Sequence, residues 1–187
     1  MSQPKGAIAD IAADLASLIP GVVDVIVEED EKDREYRIEI GYAHQPPFSS
    51  RVVSDGTLRV LALLTILHDP EHRGLVCFEE PENGVHPSRL MTLIQRLREG
   101  VTAPTSLEVD KGEPFFQILL NSHSPVVLSC LEEGEAMFAD LVSVVNPEVG
   151  SVSRKTRIRP VATSNGKQEY VSRFEVERYL SSVDRES

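Results

Sequence analysis

Ile8, Ile11, Ala12, Leu15 and Ile19 recur at the spacing of one helix face, and Pro20-Gly21 stops the pattern. The spacing predicts an amphipathic helix over residues 6–19. Residues 22–28 are β-branched and apolar, while Tyr36, Ile38, Ile40 and Tyr42 alternate with Arg37, Glu39 and Gly41, the period of a half-buried strand. An antiparallel hairpin over residues 22–43 follows, with the acidic run 28–33 as its solvated loop. A proline-containing loop at 44–50 precedes residues 58–67, which are apolar on nearly every side and predict a buried helix.

A short apolar strand at 75–78 runs straight into Glu79-Glu80-Pro81-Glu82-Asn83-Gly84-Val85-His86-Pro87. Pro87 suits the first turn of a helix that carries Leu90, Leu93, Ile94 and Leu97 inward. Residues 100–113 are polar and predict a loop. A second apolar strand at 115–120 ends in Asn121-Ser122-His123-Ser124-Pro125 and hands over to a short helix at 126–131. Further strands are expected near 141–145 and 156–161, then a closing helix over 169–180. Strands alternating with helices across 74–146 predict an α/β fold with a parallel sheet flanked by helices, added to the N-terminal helix and hairpin. The segment 147–187 supplies the C-terminal strand and helix.

Composition narrows the class. The chain has 187 residues, 41% of them hydrophobic, which is ordinary for a globular protein and allows one domain over 1–187. Its longest unbroken apolar run, residues 60–64, falls far short of the ~20 residues of a spanning helix. No export signal is visible at the start, and Cys77 and Cys130 lie in apolar surroundings without metal-ligand spacing, which predicts buried reduced thiols and a cytoplasmic compartment. With 19 basic and 30 acidic side chains, the net charge of −11 repels a phosphate backbone. The one basic cluster, residues 154–159, puts Arg157 and Arg159 on one face of a strand, the pattern of an edge guarded against pairing.

In open parallel sheets the ligand site lies beyond the carboxyl ends of the strands. Glu79, Glu80 and Glu82 leave one predicted strand and His123 leaves another, so neighbouring strands would bring them to a common crevice. A lone acid there is ordinarily a cap or a solvated loop residue, and a lone histidine a hydrogen-bonded structural one. Two adjacent acids after a buried strand fit that reading less well, because successive side chains alternate in direction. Ser54-Asp55-Gly56-Thr57 places small residues and free backbone N–H groups at the start of a buried helix, a geometry that suits a phosphate and equally an ordinary Ser or Asp cap.

Taken together, Ser54-Asp55-Gly56-Thr57-Leu58-Arg59, the strand-exit segment 75–87 and Asn121-Ser122-His123-Ser124-Pro125 resemble, in order and spacing, the C-terminal half of ABC-type AAA ATPases of the RecF-, SMC- and OLD-like group. The resemblance covers about residues 22–146. It implies a partial P-loop NTPase fold, ATP and Mg²⁺ as cofactors, and an ATP-dependent dimer. Under it Ser54, Asp55, Gly56 and Thr57 form the signature loop, which acts in trans on the γ-phosphate held by the other subunit. Glu79 corresponds to the Walker B acid that holds Mg²⁺ through water, in place of the commoner Asp. Glu80 corresponds to the general base and His123 to the switch histidine. Asn83 belongs to the loop that crosses the dimer interface and reaches the bound nucleotide.

No Gly-x-x-x-x-Gly-Lys-Ser/Thr occurs in the 187 residues, so the nest and lysine that cradle the β- and γ-phosphates are expected from another segment or chain. In the family it resembles, the P-loop strand lies beside the strand that carries the switch histidine, so without it the strand at 115–120 is expected to have an open edge. The resemblance further implies work on DNA, in repair or in defence against foreign DNA, through the complete protein and not through this acidic piece. Two other readings use the same residues. One is a non-catalytic interaction module that binds a partner chain through its sheet edge without hydrolysing ATP. The other is a stand-alone metal hydrolase built on Glu79, Glu80, Glu82, His86 and His123.

Overall fold

A computed structural model describes residues 4–30, 34–102, 115–146, 150–162 and 170–183. The chain clusters into two compact units, Met1–Ser122 and His123–Ser187.

In the first unit, helix α1 (Pro4–Leu18) buries Ile11, Ala12 and Leu15 as the periodicity predicts, with Ile19 buried just beyond it; Ile8 is only half-buried, and Leu18, outside the predicted row, is buried as well. Gly21, at φ +85°, turns the chain into strand β1 (Val22–Asp30), which pairs antiparallel with β2 (Glu35–Tyr42), with Val25 opposite the fully buried Ile40. The strands run further into the acidic segment than the sequence suggested, ending at Asp30 and Glu35. The remaining tip, residues 31–33, lies outside the described residues. Within the expected loop 44–50 a two-residue strand, β3 (Phe48–Ser49), adds to the β2 edge, where Phe48 meets Tyr42 edge-to-face at 5.6 Å. Two residues are too short for any periodicity to reveal.

Helix α2 (Asp55–Leu67) buries Thr57, Val60, Leu61, Leu63 and Leu64, while Ala62 and Thr65 are exposed, so it is less enclosed than its apolar composition predicts. Strand β4 (Gly74–Glu79) pairs in parallel with β5 (Phe116–Asn121), from Gly74 opposite Phe116 to Glu79 opposite Asn121. This is the expected parallel pairing. The expected burial is not found: Leu75 and Leu119 are each 59% exposed and Cys77 is exposed, because the three share one face of the paired strands and that face is open; among the described residues this sheet has only two strands. A 3₁₀ turn (Pro87–Arg89) leads into α3 (Leu90–Gly100), whose Leu90, Leu93, Ile94 and Leu97 are all buried. Most of the expected loop at 100–113 lies outside the described residues. Asp14 on α1 forms an ion pair with Arg96 Nε of α3 at 3.2 Å and pairs with Nε2 of His68, just after α2, at 2.9 Å.

The second unit contains α4 (Pro125–Cys130), β6 (Met137–Asn146), β7 (Ser151–Ala162), β8 (Val171–Ser172) and α5 (Arg173–Val183). Strand β6 does not extend the parallel sheet, as the alternation of strands and helices suggested. It pairs antiparallel with β7 over ten residues, a long hairpin in which both strands outrun the predicted segments. Residue 169, the expected start of the closing helix, lies outside the described residues; Tyr170 precedes β8, and the helix begins only at Arg173, whose guanidinium donates to the Leu128 and Leu131 carbonyl oxygens. The core of this unit is Leu128, Val161, Val171, Val176 and Leu180. Arg157 and Arg159 do share a face, but not as an unpaired edge: Arg157 donates Nε and Nη2 to the two oxygens of its cross-strand partner Asp140, and Arg159 lies 5.9 Å from the Phe138 ring centre. Cys130 is buried, as expected, and forms no disulfide.

Candidate functional site

Helix α2 and strand β4 explain why two distant motifs meet. Thirteen helical residues rise about 20 Å and six extended ones span about 20 Å, so the six-residue connection 68–73 returns the chain alongside its own helix. The N-terminus of α2 and the carboxyl end of β4 therefore lie at one end of the unit. Arg59, in the second turn of α2, fixes this: its guanidinium donates to the Glu79 carbonyl oxygen and sits 5.4 Å from the centre of the Phe78 ring.

Ser54 caps α2. Its Oγ accepts from the Thr57 backbone N–H at 3.2 Å and is 2.9 Å from the Thr57 hydroxyl, which is buried. Asp55 opens the first turn, where its charge complements the helix dipole. Gly56 touches Gly84 backbone to backbone: a Cβ on Gly56 would stand 2.4 Å from Gly84 Cα, and one on Gly84 equally close to Gly56 Cα. Gly84 also holds φ +90°, so two separate constraints exclude a side chain there. The signature-like loop and the turn after β4 are thus in direct contact.

The three acids leaving β4 have three different environments. Glu79 is exposed, and among the described residues its carboxylate has no hydrogen-bonding or ionic partner. Glu80 breaks the strand: at φ +46° it adopts the left-handed conformation, unusual for a residue with a side chain, while its N–H donates to both the backbone oxygen and the side-chain oxygen of Asn121, at 2.9 and 3.1 Å. The carboxylate of Glu80 is then held by Asn83, whose Nδ2 donates to Oε2 at 2.6 Å. Glu82 turns the other way and accepts from the Ser122 hydroxyl, and its second carboxylate oxygen is buried without a partner. Pro81 between them is fully buried. The problem of two adjacent strand-exit acids is resolved by a backbone reversal at the second.

His86 caps the 3₁₀ turn, its Nδ1 accepting from the Ser88 N–H at 3.3 Å, a structural role. His123 is exposed and opens the second unit, where Ser124 caps α4 by accepting from Val127 N–H. The structure therefore gathers Ser54, Asp55, Gly56, Thr57, Glu79, Glu80 and Asn83 in the first unit. Sequence reasoning assigned no role to Asn121 or Arg59. Asn121 was legible only through register, since it lies opposite Glu79 once the two strands pair in parallel.

Among the described residues no group of three or more His, Cys, Asp or Glu side chains is placed to hold a metal ion, which removes the geometric basis for a stand-alone metal hydrolase. A Mg²⁺ held by one or two carboxylates, several waters and substrate phosphates needs no such group, and Glu79 offers an unengaged carboxylate at the strand end.

Residues 4–129 match the family described as "AAA domain, putative AbiEii toxin, Type IV TA system". In fold the chain is similar to a structure described under "Structural biochemistry of ATP-driven dimerization and DNA stimulated activation of SMC ATPases", with a TM-score of 0.51 at 12% identity over 96% of this chain and 92% of that one. It is also similar to the Smc head domain with a coiled coil and joint from Pyrococcus yayanosii, with a TM-score of 0.53 at 13% identity over 96% of this chain. The chain spans 29% of the length of that second structure. At these identities the likeness is one of fold. No curated protein matches the chain in sequence. No described helix is long and apolar enough to cross a membrane.

Proposed function

Because this chain belongs to the AAA domain family of ATPases whose description names a putative AbiEii toxin, we propose that it supplies the signature-loop, Walker B and switch-histidine half of an ATP-hydrolysing site. A P-loop from another segment or chain completes that site. One observation carries the reading: the Ser54–Thr57 loop lies against the turn from Glu79 to Gly84, and within that turn Glu80 is held in a strained conformation by Asn83 and Asn121. Strain of that kind, held by side-chain hydrogen bonds, is characteristic of functional sites.

In this reading Mg²⁺, when bound, neutralises charge that develops on the phosphoryl oxygens, and Glu79 is the residue that would hold it. Glu80 orients the attacking water and accepts its proton at the carboxylate oxygen. The Ser54 hydroxyl and the first N–H groups of α2 donate to a terminal phosphate presented by a second subunit, which makes the active form a dimer. By the family resemblance His123 is the switch histidine, a donor to a γ-phosphate. Phosphoryl transfer asks little covalent work of the protein, so positioning and charge from these four groups suffice in kind. The ATP-driven dimerization and DNA-stimulated activation named for the SMC ATPases suggest the use of such a cycle here, in DNA repair or in defence against foreign DNA, inside the cell.

The test combines the chain with a P-loop-bearing segment and measures Mg²⁺-dependent ATP hydrolysis. Glu80→Gln should abolish turnover while sparing nucleotide binding, and undiminished hydrolysis in that variant defeats the assignment. A second reading, a non-catalytic module that binds a partner chain, is favoured by the exposed Leu75 and Leu119 on the open two-stranded sheet. It expects partner binding indifferent to Glu80→Gln and no hydrolysis in any combination.

A further inference from the structure

The turn after β4 is anchored at both ends. At one end Asn83 donates to the Glu80 carboxylate at 2.6 Å, and its own N–H donates to the Glu80 carbonyl oxygen at 3.0 Å, closing a tight turn. At the other end the very next residue, Gly84, rests on Gly56 in the first turn of α2 with no room for a single added carbon. Nothing flexible separates the two contacts. Asn83 and Gly84 are consecutive, Val85 N–H donates to the Glu82 carbonyl oxygen at 3.0 Å, and the Val85 side chain is buried. Gly56 and Gly84 are in direct backbone contact, and Gly84 follows Asn83 in the chain, so a displacement of Gly56 meets the residue next to Asn83.

We propose that Asn83 is a positioning residue that sets the direction of the Glu80 carboxylate, and that the Gly56–Gly84 contact makes this setting depend on the state of the Ser54–Thr57 loop. Asn83 then acts within its own subunit, in addition to any contact it makes across a dimer. The device lets the loop that meets the other subunit report its engagement to the acid of its own strand. The use of the coupling rests on the half-site reading above, but the coupling is a property of the chain alone. Asn121 keeps the other side of Glu80 fixed by accepting its N–H twice, so the carboxylate is the part free to respond.

The experiment follows the Asn83 side-chain amide by nuclear magnetic resonance in the chain without nucleotide. Glu80→Ala supplies the reference position of an Asn83 amide with no carboxylate to bond. Gly56→Ala, which adds a carbon at the contact without a positive φ, should move the Asn83 resonances at least halfway toward that reference and speed exchange of the Glu80 backbone amide several-fold. Ser54→Ala loosens the same loop more gently and should move them in the same direction, which covers the case in which Gly56→Ala does not fold. Gly134→Ala is the control, since Gly134 has φ +91° and open space around it, and it should leave Asn83 unmoved. Asn83 resonances at their wild-type position in folded Gly56→Ala and Ser54→Ala overturn the coupling, as does an equal response to Gly134→Ala. In the chain completed with a P-loop segment, Asn83→Ala should lower kcat about tenfold with KM for ATP within twofold. An intact resonance coupling with no hydrolysis in any combination counts against the half-site reading and leaves the coupling standing.

Discussion

Ser54 and Thr57 provide a quantitative test of the α2 start. Ser54→Ala removes the acceptor of the Thr57 N–H and, with it, the oxygen 2.9 Å from the Thr57 hydroxyl. Loss of an N-cap of this kind costs about 1 kcal/mol. Thr57 is only 3% exposed, so its hydroxyl has little access to water once Ser54 is truncated, and a buried unsatisfied group costs a further ~1–3 kcal/mol. A threonine in a helix recovers part of that by bonding a carbonyl in the preceding turn, which places the sum near 2 kcal/mol. At a urea slope of ~2 kcal/mol per molar, the midpoint falls by roughly 1 M. Thr57→Val alone loses the hydroxyl pair but leaves the cap on the backbone N–H, for about 1 kcal/mol. In the double variant no hydroxyl is stranded, so its cost should fall short of the sum by ~1 kcal/mol. Urea unfolding followed by far-ultraviolet circular dichroism gives the four free energies, and amide exchange at Thr57 and Leu58 localises the change. Additivity within ~0.3 kcal/mol would refute the reasoning, because it would mean that the two side chains do not share a bond.

Burial separates leucines that look alike in sequence: Leu63→Ala in α2, at a fully buried position, should cost ~3–5 kcal/mol in urea unfolding, while Leu75→Ala on the open face of β4 should stay within ~0.5 kcal/mol. Native protein treated with a thiol reagent should label at the exposed Cys77 and spare Cys130 until denaturant is added, and two equal rates would contradict the exposure of β4. The second unit should weaken in acid. Arg157 beside Asp140 holds that carboxyl below its ordinary value of 3.8, and the N–H and hydroxyl of Ser172 hold Glu175 below its ordinary 4.5. Groups lowered in the folded state contribute stability at higher pH that is lost as the pH falls from those ordinary values through the folded ones, so Asp140→Asn should flatten the acid limb of a stability curve below about pH 4.

The apolar pattern was a good guide wherever one element buries one face against its immediate neighbours. Helix α1, the hairpin of β1 and β2, and the inward row Leu90, Leu93, Ile94 and Leu97 follow it closely. It misled where burial depends on what lies alongside. Residues 75–78 and 116–120 have the composition of buried parallel strands, yet their sheet has two strands among the described residues and their side chains are half open. The same limit made β6 look like a further parallel strand, since an apolar run carries no statement about its partner, and its ten-residue register with β7 is a tertiary fact.

For the candidate site, sequence by itself determined the inventory: two adjacent acids at a strand exit, a small capped loop at a helix start, and a histidine after the second strand. Side-chain chemistry and local caps are written residue by residue, so these could be read directly. Only the folded chain decided the different surroundings of the acids, because these turn on the left-handed backbone at Glu80, on Asn121 brought opposite by parallel register, and on Gly56 meeting Gly84 from a segment 28 residues away. Each of these is a contact between parts of the chain whose separation in sequence carries no record of their meeting, and close approach of two backbones leaves only glycine as its trace.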